Sequence, residues 1–477
     1  MSLSNGGLAT LLLALWMVYA VWLTVWVVLQ KKDPAATLAW VFSLVFLPYL
    51  GFLVFYIFGP RRIGRNLKRR KLSYDAIDSA FAVDAAQKEV DSPHDLSVEL
   101  TCLVQYATGV PLSTCRSIRL LVNGSPKYDA LIEDIGKAKH HVHLEYYIYS
   151  ADRTGTLIRD ALVAAVKRGV AVRVLLDGAG SFQTGKSFLD PLENAGAELS
   201  TFNPVFRGVP HIRPLLNFRS HRKIAVIDGN IGFVGGINVT DTENDRFNPD
   251  TYFRDLHTRL EGDAVGWMQR IFLEDWHYAT KKTPSGDGFF PPLEPGKYAV
   301  QLMPSGPDNS CEPIHRACLT AIHNADQRVW LSTPYFVPTE PARYALTSAA
   351  MRGLDVRVML PKKSDSHLVD LAARSYFDEL LRVGVRVFEY QPRMLHSKVL
   401  VIDDGFAILG SANFDSRSFR TNFEISMAIH EKEIVQALEA VWKTDLAESI
   451  EMKKDRPKGS FPRRLGEAGA RLCSPLL

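Results

Sequence analysis

Two short stretches of this chain set the same reactive side chains at the same spacing. In SHRKIAVIDGNIGFVGGINVTD, residues 220–241, His221, Lys223 and Asp228 are followed by Asn238. In LHSKVLVIDDGFAILGSANFDSRS, residues 395–418, His396, Lys398 and Asp403 are followed by Asn413. Imidazole is a nucleophile and a proton carrier near neutral pH. Lysine brings a cation and asparagine an amide donor. Gly236 and Ser411 stand two residues before the asparagines, where glycine admits close backbone approach and serine adds a hydroxyl. Hard metals want clustered carboxylates, which these stretches lack, so neither a metal nor a cofactor is expected. Two imidazoles, two ammonium groups and two amides suit a phosphodiester anion. One histidine can attack phosphorus while the other protonates the leaving alcohol. The lysines and asparagines would stabilise charge on the phosphoryl oxygens.

A nucleophilic histidine needs an acceptor behind it to fix its tautomer. Glu424 lies 28 residues after His396, and Asp255 lies 34 after His221, each in a strand-like context. Both are candidate orienting groups. Asp228 and Asp403 belong to the catalytic candidates by spacing, but the turns they occupy (I-D-G and I-D-D) favour a structural role. Ser411 has a glycine as its counterpart, so it cannot be required in both copies.

These residues need rigid elements to hold them. KVLVID and FAILGS flank the turn DDG and read as a hairpin, which projects His396 and Lys398 to one face. The first copy does the same around D-G-N at 228–230. Upstream, VHLEYYIY (142–149), GTLIRDALVAAVKRG (155–169) and AVRVLLD (171–177) form a strand–helix–strand pattern. RVWLSTPYF (328–336), EPARYALTSAAMRG (340–353) and LDVRVMLP (354–361) repeat it. The repeat of about 180 residues is domain-sized. The expected fold class is α/β: two tandem α-β-α sandwich domains related by a pseudo-twofold, at 118–290 and 291–450, with a basic tail at 451–477.

The N-terminal sixty residues differ in kind. LATLLLALWMVYAVWLTVWVVL (8–29) and LAWVFSLVFLPYLGFLVFYIF (38–58) carry no charge. The first would be about 33 Å long as a helix, enough to cross a bilayer core. No Lys or Arg stands in residues 1–7, which argues against a cleaved signal peptide. Two membrane helices are expected. Seven basic residues in RRIGRNLKRRK (61–71) place the chain beyond them in the cytoplasm by the positive-inside rule, and would also attract anionic headgroups. Residues 61–117 otherwise read as a juxtamembrane segment and linker. The net charge of +4 gives no signal for nucleic acid. The five cysteines have no metal spacing and read as reduced thiols.

The pattern H-x-K-x4-D-x6-G-[GS]-x-N, twice in one chain, resembles the phospholipase D superfamily. Behind two apolar segments it is similar to the bacterial cardiolipin synthases of that superfamily. DPAATLAW (33–40), LEYYIY (144–149), PSGP (304–307), STPYF (332–336) and RSYFDELL (374–381) add to the likeness. VTDTEND after Asn238 departs from the G-D-E-Y sequence of many relatives, which bears on the first acceptor loop. The resemblance implies an enzyme of the inner membrane with anionic phospholipid substrates, phosphatidylglycerol above all. It implies transfer of a phosphatidyl group between two such lipids through a phosphatidyl-histidine, one histidine attacking and the other serving as acid and base. His221 is taken as the nucleophile and His396 as the acid and base, a choice that the pseudo-symmetry of the two copies leaves open. Hydrolysis by water, or a non-catalytic scaffold that keeps a phosphate pocket, are the competing readings. The oligomeric state is left open.

Overall fold

The duplicated sequence pattern folds into two sheets with the same strand order. The computed structural model describes residues 5–29, 34–47, 51, 64–81, 95–205, 217–284, 288–455 and 459–474. The first half supplies β1 (Ser113–Cys115), β2 (Ser117–Val122), β3 (His141–Tyr146), β4 (Ala171–Asp177), β5 (Glu198–Phe202), β6 (Lys223–Ile227), β7 (Ile231–Gly235) and β8 (Leu256–Glu261). The second supplies β9 (Tyr298–Ser305), β10 (Arg328–Ser332), β11 (Phe336–Val337), β12 (Asp355–Pro361), β13 (Arg386–Tyr390), β14 (Val399–Ile402), β15 (Phe406–Gly410), β16 (Phe414–Asp415), β17 (Glu424–Ile429) and β18 (Ser449–Glu451).

The first sheet runs β2-β8-β7-β6-β3-β4-β5. The second runs β1-β9-β17-β15-β14-β10-β12-β13-β18, which repeats that order with one extra strand at each edge. In both, the strand–helix–strand unit makes a parallel pair, β3 with β4 and β10 with β12. The hairpin then joins antiparallel, β6 on β3 and β14 on β10. The helix Arg153–Lys167 between β3 and β4 starts at Asp152, whose side chain accepts from the Gly155 amide. It ends before Gly169, whose φ of +91° stops the helix.

Strand alternation divides the core. Along β6, Ile224 and Val226 face a central core shared with the second sheet, while Ala225 and Ile227 face the outer helices. Along β14, Val399 and Val401 face that central core, and Leu400 and Ile402 face outward. The edge strand β1 comes from the segment before residue 118, yet it pairs with β9 of the second sheet. The helix Asp95–Thr108 also packs on the second half, through Leu100 and Val104. The stretch expected as a linker is therefore largely built into the body; residues 61–63 and 82–94 of it lie outside those described.

Residues 64–205 with 218–477 form one compact unit, and residues 1–63 with 206–217 form another. In the latter, the helices Asn5–Val28 and Pro34–Phe46 meet through Leu23, Val27 and Leu44. Among the described residues no helix is long and apolar enough to cross a membrane. The second expected span, 38–58, lies partly outside those residues.

Candidate active site

The site forms where the two halves exchange short backbone bridges. Ser220 pairs in parallel with Phe423, and Arg254 pairs in parallel with Leu395. The His221 amide donates to the Phe423 carbonyl at 2.8 Å, and the His396 amide donates to the Arg254 carbonyl at 2.7 Å. Each bridge sets a histidine of one half beside the residue that opens a carboxylate strand of the other. His221 Nδ1 lies 3.0 Å from Glu424 Oε2, and His396 Nδ1 lies 2.6 Å from Asp255 Oδ2. Both sequence-named carboxylates thus meet histidines, but crosswise. The pairing within one copy that sequence order suggested gives way to one between copies.

A carboxylate only accepts, so Nδ1 carries the hydrogen and Nε2 is left for chemistry. Burial pushes His221 down to about 4 against the pull of Glu424, so its imidazole is neutral at neutral pH. Burial opposes ionisation of Glu424, but His221 and Lys223 outweigh it and hold the carboxyl below its usual range. The same balance holds Asp255 low, with Lys398 and His396 outweighing burial.

The two lysines lie just behind. Lys223 Nζ donates to the His221 carbonyl at 2.7 Å, and burial pushes its ammonium down to about 7 despite Glu424. Lys398 Nζ lies 3.0 Å from His396 Nδ1 and 3.7 Å from Asp255. Burial lowers Lys398 as well, against the carboxylates of Asp255, Glu243 and Glu424. Lys223 also feels Lys398 and Asp255, so charges of both halves act in one site.

The supports of the two carboxylates differ. The Ser411 hydroxyl donates to Glu424, and the Ile425 amide donates to that hydroxyl at 2.9 Å. At the matching place Gly236 has no side chain, and a Cβ there would stand 2.3 Å from Asp255 Oδ1. Gly236 thus makes the room that Asp255 fills.

The side chains of both asparagines are engaged by neighbouring carboxylates, though Asn413 Oδ1 is buried without a hydrogen-bond partner. Asn238 Nδ2 donates to Glu243 at 2.7 Å, its backbone N–H donates to the same carboxylate at 2.6 Å, and its Oδ1 accepts from the Ile148 amide at 3.2 Å. Asn413 bonds through its side chain to Asp415, and its amide donates to Ser418 Oγ at 3.1 Å. Direct phosphate contact, expected from the sequence, is replaced at Asn238 by bracing of the loop.

Asp228 and Asp403 lie away from this chemistry. Each follows a hairpin strand at positive φ, +50° and +47°. Asp228 is five residues beyond Lys223, about 16 Å along an extended strand. Its carboxylate accepts from the amides of Lys139, His140 and His141 at 2.8–2.9 Å. Asp403 accepts from those of Asp326, Gln327 and Arg328 at 2.8–2.9 Å. Their place among the catalytic candidates is corrected accordingly: they bind the hairpin to the neighbouring strand.

Several site residues escaped the sequence reading. Tyr147 sets its ring edge-on to His221 with centroids 4.9 Å apart, and Lys223 Nζ lies 5.3 Å from that centroid. Phe253 lies 5.6 Å from the His396 ring. Glu243 is buried 4.0 Å from His396 Nδ1, within the divergent VTDTEND stretch, and that divergence was the only signal for it. Glu243, Asp255 and His396 bring possible metal-ligand atoms within 4.8 Å of one another. Those donors are already engaged by Asn238 and by the Lys398 ammonium, so the set does not fit a further cation.

The family described as "Cardiolipin synthase, PLD-like domain" matches residues 131–276 and 318–446. Cardiolipin synthase 1 of Bacillus anthracis is 37% identical over 487 aligned residues, covering 99% of this chain and 95% of that one. The chain belongs to the cardiolipin synthase family. A cardiolipin synthase of Geobacillus sp. (strain WCH70) is 37% identical, covering 94% of this chain and 90% of that one. A second family, "Phospholipase_D-nuclease N-terminal", matches residues 18–60, over the apolar segments. Among solved structures, phosphatidylserine synthase of Haemophilus influenzae Rd KW20 has the same fold, with a TM-score of 0.59 at 13% identity. It covers 80% of this chain and 100% of that one.

Proposed function

We propose that this chain transfers a phosphatidyl group from one phosphatidylglycerol to another, releasing glycerol. The observation that carries the reading is the crossed pair of buried histidine–carboxylate contacts with a lysine beside each. Neutral His221, with Nδ1–H held by Glu424, attacks phosphorus through Nε2. The N–P bond forms as the P–O bond to the glycerol headgroup breaks, and His396 gives its proton to that oxygen. In the second step His396 takes the proton of the terminal hydroxyl of a second phosphatidylglycerol. The new O–P bond forms, the N–P bond breaks, and cardiolipin leaves with His221 restored. Lys223 and Lys398 stabilise charge on the non-bridging oxygens in both steps. Asn238, Asn413, Gly236 and Ser411 hold the frame, and Asp228 and Asp403 hold the hairpins.

The apolar segments 8–29 and 38–58 span the cytoplasmic membrane as a hairpin, with the catalytic body on the cytoplasmic side. The exposure of Val18, Val21, Trp22, Val25, Phe42 and Phe46 supports this, since a water-facing helix pair does not leave such a surface bare.

Purified full-length protein supplied with phosphatidylglycerol vesicles should yield cardiolipin and glycerol by mass spectrometry. Phosphatidic acid as the sole product would replace the transferase by a hydrolase. A reporter fused after Leu477 should read cytoplasmic; a periplasmic signal would invert the topology.

A further inference from the structure

Two arginines of the basic stretch 61–71, expected at the membrane surface, are drawn into the catalytic body. Arg70, on the helix Gly64–Ala80, is only 1% exposed. Its Nη1 pairs with Asp275, and its Nε lies 3.0 Å from Asp308 Oδ2. One turn on, the Tyr74 hydroxyl donates to the same Asp308 oxygen at 2.8 Å. Arg69 donates to the Ala279 carbonyl at 3.2 Å and lies 4.7 Å over the Tyr278 ring. These contacts fasten that helix to the helix Ala264–Thr280 and to the loop after β9.

Asp275 holds a second guanidinium on its other oxygen, that of Arg222. Arg222 stands between His221 and Lys223 in sequence, and strand alternation points it away from them. Its Nε donates to the Glu424 carbonyl at 3.1 Å, and its Nη2 donates to the Ser305 carbonyl at 3.4 Å. The Phe423 ring lies 5.2 Å from the Arg70 guanidinium and 5.8 Å from that of Arg222. Phe423 is also the residue that bridges to Ser220 and receives the His221 amide. Behind the crossing that seats Glu424 against His221, then, stands a buried set of two arginines around Asp275, with Asp308 on Arg70 and buried Glu145 bonded to Asp275. Removing one cation from such a set leaves a buried carboxylate undercompensated, which forces rearrangement or water entry.

The other crossing is backed differently. Arg254, which precedes Asp255, places Nε 2.8 Å from Asp445 and donates through Nη1 to Asn123 at 2.9 Å. Those partners come from the catalytic domains, at residues 123 and 445.

The geometry points to Arg70 as a positioning residue for the His221 half of the site, acting through Asp275 and Arg222 on the Glu424 backbone. The helix that follows the apolar segments thereby supports one histidine and not the other. The kinetic part of this inference rests on the phosphatidyl-transfer reading; the structural part does not.

The test uses full-length protein in detergent micelles, as wild type, Arg70→Ala and Arg70→Lys. Amide exchange by mass spectrometry reads the two crossings separately. In Arg70→Ala, peptides covering 219–223 and 421–425 should exchange ~10-fold faster. Peptides covering 252–256 and 394–398 should be unchanged. Turnover of phosphatidylglycerol should fall by roughly 10–100-fold in kcat, the usual cost of losing an outer support, with KM unmoved. Arg70→Lys keeps a cation but not the two-sided fork, and should lie between. Unchanged exchange at 219–223 and 421–425 would overturn the proposal. So would equal acceleration at both crossings, which means general loosening, or wild-type kcat in Arg70→Ala. If Arg70→Ala does not fold, Arg70→Lys is judged by the same criteria. If the wild type makes no cardiolipin, the transferase reading fails alone and the exchange pattern still decides the role of Arg70.

Discussion

The two halves of the site reach one geometry by different means. Around His221 the supporting acid is Glu424, whose longer side chain takes a hydroxyl from Ser411. Around His396 the acid is Asp255, one methylene shorter, lodged over Gly236 where any side chain would collide. Chain length on one strand is thus matched by the size of the residue on the next. The halves differ in their charged neighbours as well. His396 has Glu243 as a second carboxylate 4.0 Å away, while His221 is held neutral by burial. Near-identical motifs thus sit in different surroundings, and the proposed division of labour, with His221 attacking and His396 carrying the proton, draws on that difference.

The largest expected effects test that division. His221→Ala and His396→Ala should each lower turnover by at least roughly 10³-fold. A donor lipid with an activated aryl leaving group needs no proton. With it, His396→Ala should still accumulate a covalent phosphatidyl-enzyme by intact-protein mass spectrometry, and His221→Ala should not. The opposite pattern would exchange the two roles.

Swapping the supports comes next. Gly236→Ser drives a side chain into Asp255 and should cost about 100-fold in kcat. Ser411→Gly removes one hydrogen bond to a carboxylate, worth about 1.5–3 kcal/mol, and should cost less. Equal losses would mean that the two pairs are packed alike after all.

A smaller difference concerns pH. Lys223, pushed down to about 7 by burial, loses its positive charge as pH rises through that value in the free enzyme. Anionic substrate then binds less well, so kcat/KM should fall above about pH 7. Lys223→Arg, which stays charged, should move that limb upward. Lys398→Arg should leave it in place, and a limb that follows Lys398 would reverse the assignment.

The smallest kinetic effect falls on the aspartates the halves share most closely. Asp228→Ala and Asp403→Ala each strip an acceptor from three amides. Stability should drop by about 1–3 kcal/mol in thermal or urea unfolding, while kcat per folded molecule stays near wild type. A large loss of kcat in the folded variants would return both to the chemistry.

Much of this was legible in the sequence because it is local. The H-x-K spacing fixes two side chains on one face, and the apolar runs around D-G and D-D-G fix the hairpins. The crossed pairing was not legible, because Glu424 and His221 are 203 residues apart and nothing in the spacing says which histidine an acid serves. Arg70 escaped for another reason. A run of basic residues looks the same whether it faces water, lipid or a buried aspartate, and only packing against Asp275 tells them apart. Asn238 looks available from its place two residues after a glycine until Glu243, in a stretch with no pattern of its own, is seen to hold its amide.

The exchanged bridges also bear on how such a molecule can arise. Residue 221 needs residue 424 as residue 396 needs residue 255, which is the reciprocity of a contact between two identical subunits about a twofold axis. One ancestral half, paired with its own copy, would already own a complete site with two equal histidines. Joining two such halves in a single chain lifts the requirement that both copies stay the same. A difference between the halves, such as Gly236 against Ser411 or Asp255 against Glu424, can then specialise one side without damaging the other.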